Sequence, residues 1–287
     1  MTEGKISAIA IDKLAYAYAE KEVLKEITLE VKRGEIFGLL GPSGAGKTTL
    51  LKIMTGQLTA EKGEAELFGK KLSDMKREDY LKIGIMMDSF GIYERLSCYD
   101  NLKLFVKIKG IETKRIEEIL KTVGLWEAAK TEASKLSKGM RNRLLLARAF
   151  LGEPEIIFLD EPTSGLDPAT TAEIHRLILD AKQKGTTVFL TTHNMTEAEK
   201  LCDHIALLNE GRIVEQGKPR EICLKYDHQK KLILCFKDGT VRELSCKADS
   251  AEVIREALAE GMLETLHSTE PDLESVFMEL TGRKLEV

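Results

Sequence analysis

The stretch GPSGAGKT, residues 41–48, limits the possible folds of this chain more than any other feature. It has the form G-x-x-x-x-G-K-[ST]. The apolar run IFGLL precedes it and the helix-like run TTLLKIM follows, so the motif reads as strand, loop and helix in succession. In such a unit, glycines let successive backbone N–H groups wrap a phosphate at a helix N-terminus. Gly41, Pro42, Ser43, Gly44, Ala45, Gly46, Lys47, Thr48 and Thr49 are the candidate phosphate-binding residues. Lys47 would reach the β- and γ-phosphates, and the Thr48 hydroxyl would bind Mg²⁺. The competing reading is a glycine-rich turn with no ligand.

EIFGLL (35–40), EIIFLD (155–160) and TTVFLTTH (186–193) are compact apolar runs of the kind that parallel strands buried on both faces require. They alternate with longer helical patterns, which predicts an α/β fold with a largely parallel sheet. The carboxyl ends of parallel strands open onto one crevice. Asp160, ending the second run, suits Mg²⁺, and Glu161 suits a group that orients or deprotonates an attacking water. His193 ends the third run and could touch a γ-phosphate, although a lone histidine at a strand end is also an ordinary surface residue. Residues 96–151 carry helical spacing instead, as in Ile116, Ile119, Leu120 and Val123, and predict a helical subdomain over about 90–152. From residue 226 a hairpin signal at Asp238-Gly239 is followed by helix, strand and helix. Residues 1–225 and 226–287 are therefore expected to be separate domains. In the tail helix Leu273, Val276, Phe277 and Leu280 form one apolar stripe.

Composition removes several classes of function. A net charge of -4 argues against a general nucleic-acid binder. No apolar run approaches the roughly 20 residues that span a bilayer. The start MTEGKISAIA has no basic segment leading into an apolar core, so no secretory signal is expected. Five scattered cysteines without a CxxC pair fit reduced thiols in a cytosolic protein. The histidines have no metal-ligand spacing.

A second anion-binding feature lies 90 positions beyond Lys47. LSKGMRNR (136–143) places Ser137 and Gly139 at a helix start with arginines close behind. GPSGAGKTT, LSKGM, IIFLDEPTSGLDP and TTH, in this order and at these intervals, resemble the ATP-binding cassette of ABC transporters over roughly residues 6–220. The resemblance implies a P-loop NTPase cassette, a RecA-like core with an inserted helical subdomain, followed here by a small C-terminal α+β accessory domain. It implies ATP and Mg²⁺ as cofactors, Lys47 and Thr48 on the phosphates and metal, Asp160 on magnesium, Glu161 as the catalytic carboxylate and His193 as the switch histidine. Tyr18 falls where the family stacks an aromatic on adenine, or it is an ordinary half-buried strand tyrosine. LSKGM resembles the cassette signature, usually LSGGQ. Two cassettes of the family pack head to tail, so Ser137 and the Gly139 N–H would serve the γ-phosphate held by a partner. Ser137 is also a good N-cap, and both roles are compatible. SGLD (164–167) resembles the loop crossing the same interface, while Asp167-Pro168 also makes a good helix start.

The LSKGM variant with its arginine-rich helix, together with the ending STEPDLESVFMELTGRKLEV, resembles bacterial exporters of the bacitracin and daunorubicin resistance type. In these the ATPase and the membrane permease are separate chains, which places the protein peripherally on the cytoplasmic face of the membrane. One position departs from the family. Aligning IG and NL of IGIMMDSFGIYERLSCYDNL (83–102) puts Asp88 where cassettes carry a glutamine near the metal. A soluble cassette acting on ribosomes or nucleic acid is the main alternative. The double-cassette translation factors need two cassettes, and the chromosome ATPases need long coiled coils between phosphate loop and signature; neither is present here. An importer ATPase is the third reading.

Overall fold

The computed structural model describes residues 7–87, 91–228, 230–269 and 271–282. They form two compact units, the first ending at Lys218 and the second beginning at Pro219.

In chain order the first unit contains β1 (Ser7–Tyr18), β2 (Lys21–Lys32), β3 (Ile36–Leu40), α1 (Lys47–Met54), β4 (Lys62–Leu67), β5 (Lys70–Lys71), α2 (Arg77–Leu81) and β6 (Ile83–Met86). It continues with α3 (Cys98–Lys109), α4 (Lys114–Thr122), α5 (Lys138–Phe150), β7 (Ile156–Asp160), α6 (Pro168–Gln183), β8 (Thr187–Thr192), α7 (Met195–Leu201), β9 (His204–Asn209) and β10 (Arg212–Gly217). A six-stranded sheet runs in the order β10-β9-β3-β8-β7-β6. Its strands are parallel except β10, which is antiparallel to β9. The expected parallel sheet is present, and its physical basis is burial: every residue of β3 and β8 is buried. Phe37, Phe158 and Phe189 stack through the sheet interior, with ring centroids 5.4 and 5.8 Å apart in the two neighbouring pairs. Each ring contributes roughly 2–3 kcal/mol through its buried area.

Register places the chemistry. Leu40 pairs with Thr192, and Asp160 pairs with Thr191, so the ends of β3, β7 and β8 stand level. The phosphate loop leaves β3 at that level.

A second sheet, β2-β1-β4-β5, is antiparallel and was not predicted from the sequence. Its alternation is broken by irregular pairing between Ile11 and Leu14. Lys13 and Glu26 have φ of 47° and 54°, left-handed conformations that interrupt the two-residue period a strand reading depends on. Between β6 and β7 all regular elements among the described residues are helical. They close around their own core of Leu102, Val106, Ile116, Leu120, Leu144 and Leu151.

The second unit contains α8 (Pro219–Lys225), β11 (Lys231–Phe236), β12 (Val241–Ser245), α9 (Ala251–Ala259), β13 (Leu263–Thr269) and α10 (Leu273–Thr281). Its sheet order is β12-β11-β13. The β11–β12 turn carries Gly239 at φ 85°, and Phe236 N donates to Thr240 O at 2.8 Å. Leu273, Val276 and Phe277 of α10 are buried. The unit starts at Pro219 rather than near residue 226 because α8 packs on α10.

Candidate functional site

The loop from Gly41 to Gly46 joins β3 to α1. Gly46 has φ 114°, a conformation that side chains rarely adopt. A Cβ there would meet Leu24 Cδ2 at 2.8 Å and Val23 O at 3.1 Å, both from the start of β2. A Cβ on Gly41 would fall 2.2 Å from Leu208 O. Ala45 N donates to Pro42 O at 3.2 Å and Gly211 N donates to Ala45 O at 3.1 Å, fixing the loop's floor. Ser43 and Gly44 are exposed at its rim, and Thr49 is buried on α1.

Lys47, the first residue of α1, is only 6% exposed. Its ammonium donates to Gly41 O at 2.7 Å and Pro42 O at 3.2 Å, and lies 3.3 Å from Glu161 Oε1. Thr48 Oγ1 donates to Asp160 Oδ2 at 2.8 Å, and Thr191 Oγ1 donates to Asp160 Oδ1. His193 Nδ1 lies 2.6 Å from Glu161 Oε2. An ionised carboxylate only accepts, which assigns the proton to Nδ1. Lys47, Thr48, Asp160, Glu161 and His193 thus form one contiguous polar cluster drawn from the ends of two strands and the start of one helix.

Glu161 adopts φ 46°, left-handed for a side chain with a Cβ. Such a residue costs on the order of 1–3 kcal/mol and persists only where its surroundings hold it. Here its N–H donates to Thr191 O at 3.1 Å and to Thr191 Oγ1 at 3.2 Å. The turn lifts the Glu161 side chain out of strand alternation and towards Lys47 and His193.

Thr48 and Asp160 supply a hydroxyl and a carboxylate, the oxygen donors that Mg²⁺ prefers when it keeps its remaining positions for water and phosphate. No cluster of three or more His, Cys, Asp or Glu residues with metal-holding geometry occurs among the described residues. Asp88, the third expected metal residue, lies outside the described residues.

The other expected residues are spread around this cluster. Tyr18 ends β1, is 44% exposed and meets Tyr16 edge-on with centroids 4.9 Å apart. Tyr18 pairs with Lys21 in the hairpin that continues to Val23 and Leu24, the residues against Gly46. Ser137 is the N-cap of α5, and its Oγ accepts from Met140 N at 3.2 Å. Asp167 caps α6 by accepting from Ala169 N and Thr170 N, both at 3.0 Å. A cavity of about 310 Å³ has Thr48, Asp160 and Glu161 on one wall and Lys138, Arg141 and Asn142 of α5 on another. Ser137 and Gly139 do not line it.

Sequence reasoning missed Thr191 and Glu197. Thr191 is fully buried and holds both strand-end acids. Its only sequence signal is a hydroxyl beside that of Thr192 at the end of a buried strand. Glu197 is buried and accepts from Thr163 Oγ1 and Thr192 Oγ1 at 2.6 and 2.8 Å.

No helix among the described residues is long and apolar enough to cross a membrane. The family model "ABC transporter" matches residues 24–164. The fluoroquinolones export ATP-binding protein MT2762 of Mycobacterium tuberculosis is 38% identical over 275 residues, covering 94% of this chain and 91% of that protein. The bacitracin transport ATP-binding protein BcrA of Bacillus licheniformis is 38% identical over 220 residues, covering 76% and 70%. The ATP-binding cassette MJ0796, solved as a dimer in a post-hydrolysis state bound to ADP and Pi, superposes with a TM-score of 0.67 at 28% identity, covering 73% of this chain and 98% of that one. With its phosphate loop, its strand-end acids and these relatives, the chain belongs to the ABC transporter family, as the ATP-binding and ATP-hydrolysing subunit of an exporter.

Proposed function

We propose that this chain powers efflux of a drug, peptide antibiotic or lipid-like molecule through separate membrane-spanning permease subunits, by ATP-driven head-to-tail pairing with a second cassette. The observation that carries the reading is the shared carboxylate of Glu161, held between the Lys47 ammonium at 3.3 Å and His193 Nδ1 at 2.6 Å. Lys47 and the loop N–H groups bind the β- and γ-phosphates, and Thr48, Asp160 and Asp88 would hold Mg²⁺, which would supply positive charge against the phosphate oxygens. Glu161 orients a water for in-line attack on the γ-phosphorus and takes its proton as the bond to the ADP oxygen breaks. His193 fixes the carboxylate. Tyr18 offers an exposed face for adenine, and base–aromatic stacking contributes about 1–3 kcal/mol.

Pairing is supported by Gly139. Within this chain its Cβ position meets nothing closer than Thr170 Cγ2 at 3.7 Å, so internal packing does not require a glycine. A glycine inside a helix gives up about 1 kcal/mol relative to alanine. Close approach of a partner's nucleotide to the α5 N-terminus, beside Ser137 and Asp167, accounts for its presence. A second cavity, of about 610 Å³, has Tyr80, Ile83, Ile85, Phe105 and Ile108 in its lining together with Lys52, Arg77, Lys109 and Arg148, and reaches Thr48 and Asp160. It suits an amphipathic helix turn of the permease, which would hold the chain peripherally at the cytoplasmic face of a bacterial membrane. The relatives exporting fluoroquinolones or transporting bacitracin support the substrate class. The second unit is an accessory domain outside the ATP site.

Light scattering on Glu161→Gln at millimolar MgATP tests the reading. The variant is expected to bind ATP, to hydrolyse it about 10²–10⁴-fold more slowly and to accumulate as a dimer. A variant that binds ATP yet stays monomeric counts against head-to-tail pairing. Co-purification with ribosomes or nucleic acid in place of membranes would favour the soluble cassette.

A further inference from the structure

Glu197 is a buried carboxylate that none of the steps above uses. Its side chain is 2% exposed, and the basic group paired with it is His175, whose Nε2 lies 2.9 Å from Oε1. Burying a carboxylate without an adequate set of donors is expensive, so the donors it has gathered are informative. Thr163 Oγ1 donates to Oε1 at 2.6 Å, and Thr192 Oγ1 donates to Oε2 at 2.8 Å. The Glu197 N–H donates to Asn194 Oδ1 at 3.0 Å, and Asn194 N donates to Thr192 Oγ1 at 3.0 Å.

The partners lie next to the catalytic pair. Thr163 follows Glu161 by two positions. Thr192 and Asn194 flank His193 on either side. His175 rides on α6, the helix that Asp167 caps. Sheet register aligns the strands only as far as Asp160 and Thr191. Beyond that level the chain turns through Glu161 at φ 46°, where Thr191 still holds the Glu161 N–H. Thr163 on one loop and Thr192 on the other bracket the 2.6 Å contact of Glu161 Oε2 with His193 Nδ1, and among the described residues they meet only through Glu197. Glu197 is bonded to both loops and to α6.

We infer that Glu197 is a positioning residue for hydrolysis, locking the loop after Glu161 and the loop around His193 into one geometry and linking both to α6. It touches neither nucleotide nor water. The inference rests on the assignment of Glu161 and His193 as the catalytic pair. Removing the lock lets the pair drift, and because positioning errors of about 1 Å cost up to 10²-fold in rate, turnover should suffer and nucleotide binding should not.

The test is steady-state MgATP hydrolysis by the full chain, with ATP affinity measured separately by a fluorescent analogue. Glu197→Gln keeps the volume but replaces one acceptor oxygen with a donor. It should lower kcat by about tenfold or more with KM and affinity within about threefold, the signature of lost positioning rather than lost binding. Thr163→Val and Thr192→Val, which leave the carboxylate in place, should each lower kcat and add little in the Glu197→Gln background, because the three groups act as one network. Folded Glu197→Gln with kcat within twofold of wild type overturns the inference, as does a fall in kcat matched by an equal rise in KM, or full additivity of the threonine variants. If Glu197→Gln does not fold, unchanged kcat in both threonine variants overturns it and a fall in kcat alone supports it. Glu161→Gln measured alongside separates the two failures. Full activity there removes the assignment on which the inference stands, whereas an inactive Glu161→Gln beside a normal Glu197→Gln removes the inference only.

Discussion

Thr48 Oγ1 donates to Asp160 Oδ2 at 2.8 Å, tying the first turn of α1 to the end of β7 across 112 positions of sequence. The two groups are the oxygen donors proposed for Mg²⁺, and they are already held against one another by the protein. Thr191 holds the second oxygen of Asp160 from the neighbouring strand. Asp160→Asn should keep the fold, since an amide can replace these contacts in part. It should raise the magnesium concentration for half-maximal ATPase by about tenfold or more, because even outer groups around a metal ligand change affinity by about 10–100-fold. Titrating magnesium at saturating ATP checks this, and an unmoved midpoint removes Asp160 from the metal site.

His193→Ala deletes the donor at 2.6 Å from Glu161 Oε2 and leaves the Lys47 contact at Oε1 intact. The carboxylate is then held at one end only. Hydrolysis should fall by about 10²-fold or more, within the range for loss of a positioned acid–base group, while ATP affinity stays within a few-fold. Single-turnover rates with a separate binding titration distinguish this from a histidine that only contacts phosphate, whose loss would weaken binding to a similar degree.

The strands and phosphate loop were legible because β3, β7 and β8 are buried on both faces and therefore read as unbroken apolar runs. Asp160, Glu161 and His193 could be placed because they terminate or directly follow two of those runs at one level of the sheet, and Lys47 because it closes the phosphate loop that leaves the third. Thr163 and Glu197 could not, since they meet 34 positions apart through side chains whose local sequence has no periodicity. The β1–β2–β4 sheet was lost for a related reason. Its bulges at Lys13 and Glu26 break the alternation by which a half-buried strand declares itself.

Asp167 is expected to make the start of α6 sensitive to acid. Hydrogen bonds from Thr170, from the backbone N–H first and then the hydroxyl, hold its carboxyl below the ordinary 3.8. A carboxyl with a depressed native pKa stabilises the fold above its unfolded pKa and loses that contribution as pH falls through the native value. The difference in melting temperature between wild type and Asp167→Ala should therefore be constant from pH 7 to about pH 5 and shrink below about pH 4. Asp167→Asn, which can still cap, should lie between them and vary less with pH. A gap independent of pH down to 3 would mean that the charge of Asp167 has no part in the cap.

Asp88 carries the last prediction. Met86 pairs with Leu159, the residue before Asp160, in the parallel register of β6 and β7, two positions before Asp88. A glutamine at this position, usual in the family, is neutral and both donates and accepts hydrogen bonds, whereas an ionised aspartate only accepts and is one methylene shorter. A divalent cation favours the ionised form and is bound more firmly by it. If Asp88 shares the metal as proposed, then without the cation Asp88, Asp160 and Glu161 would repel one another. We therefore expect hydrolysis to depend more steeply on magnesium than in a glutamine cassette. Asp88→Asn keeps the size and removes the charge, so it should raise the magnesium midpoint. Asp88→Glu should retain much of the ATPase and transport, while Asp88→Ala should bind ATP but uncouple hydrolysis from transport. Transport into vesicles carrying the permease, measured with ATPase over a magnesium series, reads both quantities. Full transport by Asp88→Asn with an unchanged magnesium requirement would make the charge incidental and leave Asp88 a tolerated loop residue.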